Sequence, residues 1–208
     1  MTIPKKINEI RKALSPEDWK RVAATVEGLP EPYFQQVTRD DSVRYLSAVA
    51  NLTESRPIHV LWQPDTATIT ICTFDRSGLF SYLAGILAAA DFNIIAGHVY
   101  TSSNGVAIDT FRGEIPTDVT PDDWFSDVNR QFTRLFAASV SDEELRAGVI
   151  ERVASSRALR DSVVPDMLLP ITLDFDTTDP AATRIDVRSQ DTPFFLYSLS
   201  TALSLQAF

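Results

Sequence analysis

Apolar residues along this chain follow two rhythms, and the change from one to the other is sharpest between Thr68 and Asn93. Ile69, Ile71 and Thr73 alternate with Thr70 and Cys72, the two-residue period of a β-strand half buried in a sheet. Leu79, Phe80, Leu83, Ile86, Leu87 and Ala90 then recur at helical spacing. The residues between, Asp75-Arg76-Ser77-Gly78-Leu79-Phe80, therefore form a strand-to-helix turn. Gly78 permits close backbone approach there, and the first amides of the helix point outward without intrahelical partners. Such a corner holds a small anion, including the carboxylate of an amino acid, with backbone alone.

The same reading extends along the chain. Ser15-Pro16-Glu17-Asp18 is a helix start, with a capping hydroxyl, a proline in the first turn and acids at the positive end of the dipole. Its stripe is Trp19, Val22, Ala23 and Val26, and Gly28-Leu29-Pro30 stops it. Thr38-Arg39-Asp40-Asp41 opens another helix, with Val43, Leu46, Val49 and Leu52 on one face. Residues 1–56 are thus a helical region whose apolar faces need the following sheet as partner, with Trp19 and Tyr45 as packing residues. Strands are predicted at Ile58 to Trp62, Thr68 to Phe74, Ile94 to Thr101 and Val106 to Ile115, the last two joined at the hairpin signal Asn104-Gly105. Thr120-Pro121-Asp122-Asp123 caps a helix striped by Trp124, Val128, Phe132, Leu135 and Phe136. Ser141-Asp142-Glu143-Glu144 opens a connector helix, less regular in its face, running to about Leu159. A strand at Ile171 to Phe175 follows Met167 to Leu169. Then come a turn at Asp179-Pro180, a strand at Arg184 to Arg188 and a helix from Pro193 to Leu205.

The two halves repeat. An offset of 116 residues pairs Ile69 with Ile185, Ile71 with Val187, Asp75 with Asp191, Leu83 with Leu199, Leu87 with Leu203 and Phe92 with Phe208. Strand, acidic turn and helix fall in register, which shared amphipathicity alone does not require. The second copy reaches only the end of its helix, and a strand pair with one helix cannot bury its apolar face alone.

Composition narrows the function classes. A formal charge of −9 argues against a nucleic-acid surface and an anionic membrane. No apolar run spans a bilayer, the N-terminus lacks the apolar core of a signal peptide, and Cys72 is the single cysteine. A soluble, cytoplasmic protein with no cofactor and no metal is expected.

The order strand, helix, strand, strand, helix, with Asp-x-x-Gly-Leu-Phe at the first turn and Asn-Ile at the next strand, resembles an ACT domain. Residues Ile69 to Glu114 resemble more narrowly the first ACT domain in the C-terminal part of bifunctional PII-protein uridylyltransferase/uridylyl-removing enzymes. There the turn typically reads Asp-Arg-Pro-Gly-Leu-Phe. The hairpin Val99 to Phe111 matches in character, and Leu29-Pro30-Glu31-Pro32-Tyr33-Phe34 resembles the linker before the ACT pair. The resemblance implies an α+β, ferredoxin-like ACT domain: an antiparallel four-stranded sheet with two helices on one face. It divides the chain into a helical region 1–56, a first ACT domain 57–140, a connector 141–168 and a partial second ACT-like domain 169–208. The strand preceding each central strand is expected to fill the sheet position that the last strand takes in a standalone ACT domain.

The function so implied is a regulatory module for uridylyltransferase-type nitrogen signalling. It binds an amino acid, glutamine by resemblance, at Asp75, Arg76, Ser77, Gly78, Leu79 and Phe80 together with Asn93 and Ile94. The alternative is an ACT scaffold without ligand that forms a homodimer or docks a partner domain. Catalysis is not expected, because the chain has neither a nucleotidyltransferase Gly-Ser turn with paired acids nor a His-Asp metal motif, and its histidines are His59 and His98. In the second copy Phe194 stands where the turn glycine would be, which should obstruct a ligand. Single residues keep two readings each. Asp75 either meets an ammonium group or caps the turn. Asn93 either reaches a ligand or ends the helix in a left-handed conformation. His98 is a surface or interface histidine without metal partners, and Cys72 is a packing residue. The acids Asp122, Asp123, Asp142, Glu143 and Glu144 are helix-start residues.

Overall fold

A computed structural model describes residues 2–157, 170–178, 184–190, 192 and 194–205. Four helices come first: α1 (Ile3–Ala13), α2 (Pro16–Gly28), α3 (Glu31–Gln36) and α4 (Arg39–Val49). The Ser15 and Thr38 hydroxyls accept from the backbone N–H groups of Asp18 and Asp41, as their sequence signals require. Helices α1 and α3 were not anticipated. Neither has a side-chain cap, and α3 is only six residues long.

The sheet follows: β1 (Ile58–Gln63), β2 (Thr68–Phe74), helix α5 (Leu79–Ala89), β3 (Asn93–Thr101), β4 (Val106–Glu114) and helix α6 (Pro121–Leu135). Its order is β1-β2-β4-β3 and every pairing is antiparallel. The crossover from β2 through α5 to β3 thus leaves a gap that β4 fills, an arrangement compatible with a ferredoxin-like fold. Strand β1 lies beside β2, Ile58 opposite Thr73 and Gln63 opposite Thr68, as the expected placement of residues 58–62 demands. The Asn104-Gly105 hairpin forms, with Gly105 at φ 79°.

Strand β2 was expected to be half buried, yet residues 68–73 are buried throughout. The reason is that both faces of the sheet are covered. Ile69, Ile71, Ala107 and Phe111 pack against α5, α6 and a following helix, α7 (Asp142–Ala154). Cys72, Tyr100, Val106 and Ile108 pack against the N-terminal helices, with Val22, Val26, Tyr33, Tyr45 and Leu46. The sheet therefore is the partner that the helical region lacked, Tyr45 is a core residue, and Trp19 packs at the core's edge.

Helix α7 carries a complete capping box between Ser141 and Glu144. It buries Leu145, Val149 and Val153 against α5 and ends at Ala154, short of the expected Leu159, which lies outside the described residues. Ile150, beside the buried Val149, is 49% exposed.

Beyond it, β5 (Thr172–Asp176) and β6 (Arg184–Arg188) make a separate antiparallel ribbon, and α8 (Phe195–Leu205) packs along α5. Gly85 makes that contact possible. A Cβ there would lie 2.8 Å from the Tyr197 ring and 3.1 Å from Val149. The turn at Asp179-Pro180, the segment Met167 to Leu169, and Asp191, Pro193 and Phe208 of the repeat lie outside the described residues. No helix among the described residues is long and apolar enough to cross a membrane.

Candidate functional site

The turn after β2 is held on three sides. Asp75 donates its backbone N–H to the Gly105 carbonyl at 2.8 Å, tying the turn to the β3–β4 hairpin. Arg76 reaches Asp142 at 3.0 Å and lies over the Phe136 ring, 5.5 Å from its centroid. Gly78 caps α5 at φ 75°, a left-handed conformation that costs glycine nothing and other residues about 1–2 kcal/mol. The Leu79 N–H bonds back to the Arg76 carbonyl, whereas the amides of Phe80 and Ser81 have no acceptor among the described residues. The side chains of Asp75 and Ser77 are exposed, Leu79 is buried and Phe80 is half-buried against Phe111.

A cleft of about 700 Å³ opens beside this corner, between the start of β3 and the head of α8. Of the eight residues expected at the site, it brings together Phe80, Asn93 and Ile94. Asp75, Arg76, Ser77, Gly78 and Leu79 do not line it. Its opposite wall is Thr192, Phe194, Phe195, Leu196 and Tyr197. Asn93 starts β3 and donates to Glu114 at 3.2 Å, and the left-handed residue that ends α5 is Asp91, at φ 56°. The lining is mostly apolar (Ala84, Ala88 and Phe92 among it), with Asp91, Asn93 and Thr192 as polar groups, a composition suited to a small molecule with a few fixed polar contacts.

Two features escaped the sequence reading. One is the contribution of the second strand–helix unit to the cleft, a long-range contact no local pattern encodes. The other is Asp109, 3% exposed on β4, opposite Ile71 and Val99. Burial pushes its carboxyl up to about 7; the Tyr100 backbone N–H opposes the shift and the negative charge of Asp75 adds to it. The signal was present, since Ala107, Asp109 and Phe111 occupy alternate positions and so share the core face. Cys72 is buried, its thiol pushed up to about 12 by burial and then by Asp109, and it donates to the Tyr45 carbonyl as a packing residue. Among the described residues no cluster of three metal-binding side chains occurs.

No family model matches the chain. It is similar to the bifunctional uridylyltransferase/uridylyl-removing enzyme of Azospirillum brasilense, 32% identical over 166 residues, 74% of this chain and 16% of that protein. The enzyme of the same description from Bradyrhizobium diazoefficiens is 32% identical over 139 residues (65% and 14%), and that from Gluconobacter oxydans 29% over 169 residues (79% and 16%). The chain is related to one segment of this enzyme. It spans only 14–16% of the length of these curated relatives.

Proposed function

We propose that the chain is a tandem ACT-type regulatory module, non-catalytic in itself, that binds an amino acid and thereby controls uridylyltransferase-type nitrogen signalling. Residues 57–140 are the first unit and 169–208 part of the second. The observation carrying this reading is the cleft, which takes its strand (Asn93 to Gly97) from the first unit and its turn and helix (Thr192 to Tyr197) from the second. A ligand seated between two units changes their relative orientation, which is what regulation of an attached or partner enzyme requires. The two turns support the repeat, because Phe194 at φ 64° reproduces the left-handed bend of Gly78 at φ 75°, 116 residues earlier. The turn beside the cleft leaves the amides of Phe80 and Ser81 unpaired, a setting suited to a carboxylate, whereas Asp75 does not line the cleft. Glutamine is the ligand suggested by the kinship with uridylyltransferases.

Calorimetric titration and thermal unfolding with millimolar glutamine and a panel of other amino acids test this. Binding weakened about tenfold or more by Asn93→Ala is expected; silence toward every amino acid overturns it. One observation favours the second reading, a scaffold without ligand: Phe194 fills the bend that glycine leaves open in the first unit, and its ring is 8% exposed. A concentration-dependent dimer, or a docked partner, indifferent to amino acids would establish that alternative.

A further inference from the structure

The second face of the sheet is divided. Its apolar half, Cys72, Val106 and Ile108, is sealed by the N-terminal helices. Its other half is polar and opens into a separate cleft of about 300 Å³ between α3, α4 and the strands. That volume is at the lower end of the roughly 300–1,000 Å³ typical of small-molecule sites.

Most polar groups around this cleft already have partners. Tyr100 donates its hydroxyl to Gln36 at 2.7 Å. The Thr70 and Thr110 hydroxyls lie 3.2 Å apart, and the Thr66 hydroxyl donates to Thr68 at 2.9 Å. Asp41 is held by Arg44 at 2.8 Å. Two basic side chains stand apart. Arg112 makes no ion pair and no side-chain hydrogen bond among the described residues, in a chain whose acids outnumber its Lys and Arg 28 to 19. His98 stacks parallel on Tyr100, and its ring nitrogens have no hydrogen-bond partner among the described residues. Arg112 on β4 and His98 on the adjacent β3 line the same cleft, since Arg112 is opposite Ala96 and His98 opposite Thr110. A guanidinium fork and an imidazole N–H set diagonally on neighbouring strands form a two-pronged donor for an oxyanion.

We propose that this polar cleft is a second ligand site, distinct from the inter-unit cleft, taking a small organic anion whose carboxylate or phosphate is held by Arg112 and His98. The rest of the ligand lies against Tyr45 and Gln36, so it bridges the helical region and the sheet. It fastens α3 and α4 to the polar half of the sheet face.

The test is thermal unfolding and calorimetry of the full chain with inorganic phosphate and with succinate, each against sodium chloride at matched ionic strength. At least one probe should raise the unfolding midpoint, and whichever does so identifies phosphate or carboxylate as the recognised group. Arg112→Gln, at an exposed position, should leave the unliganded midpoint unchanged and weaken binding tenfold or more. His98→Ala should weaken it less, and Arg130→Gln on α6 should leave it intact. Absence of a shift with both probes, or equal binding by Arg112→Gln, overturns the proposal.

Discussion

The two turns at Gly78 and Phe194 make the same left-handed bend with opposite means. The first uses a residue without a side chain, so the bend is unstrained, and a Cβ built there would meet nothing closer than 3.5 Å. The second forces a phenylalanine to φ 64°, a conformation uncommon for any residue other than glycine. It persists because the ring is buried in the core shared by α5 and α7. The comparison teaches that one backbone shape can serve two purposes: an open corner at Gly78, and an anchor at Phe194.

The largest break in that comparison should come from Phe194→Ala, which removes a buried ring and leaves the bend strained. A loss of about 3 kcal/mol, the low end for such truncations, is expected in urea unfolding. Phe194→Gly loses the same ring but relaxes the bend, so it should be less destabilising than the alanine variant by about 1 kcal/mol. Equal losses would mean that the bend carries no strain.

The first turn has a buried acid within electrostatic reach, and this gives it a pH signature. Asp109 holds its proton in the folded chain up to about pH 7, whereas the unfolded chain releases it near the ordinary carboxylate value of 3.8. The folded state therefore binds more protons between those limits, and its stability falls as pH rises through that window, by up to about 1.4 kcal/mol per pH unit, then levels off. Asp109→Asn should remove this slope, as urea midpoints at intervals across the window will reveal; a slope that persists would assign it to other groups.

A smaller effect tests the unstrained bend directly. Gly78→Ala should cost about 1–2 kcal/mol, from conformation alone, because the space for the methyl group exists. A neutral result would show that the α5 cap can shift. Smallest is Arg76→Ala: its partner Asp142 is 80% exposed, so the ion pair should contribute about 0–1 kcal/mol, and losing the Phe136 contact adds little. A loss well above that range would make Arg76 a strut of the turn.

Much of the fold was legible because its elements carry local punctuation. Ser15, Thr38, Thr120 and Ser141 each cap the helix they announce, and Asn104-Gly105 makes the hairpin. Helix α1 was missed although Ile3, Ile7, Ile10 and Leu14 pack at helical spacing, because its lysines and lack of a capping side chain masked the start. Helix α3 is too short for any period to register. Of the candidate site, the corner itself was readable, since strand period, glycine and helix period meet there. The cleft was not, because it joins residues about a hundred positions apart, and the polar half of the sheet's second face emerges only once the N-terminal helices are docked.

The seat of Tyr197 against the bare backbone at Gly85 has a mechanical consequence. A side chain at this position would collide with the Tyr197 ring and with Val149, so only glycine lets α8 lie this close to α5. Because Tyr197 also lines the cleft across from Asn93, the missing side chain at Gly85 sets the width of that opening.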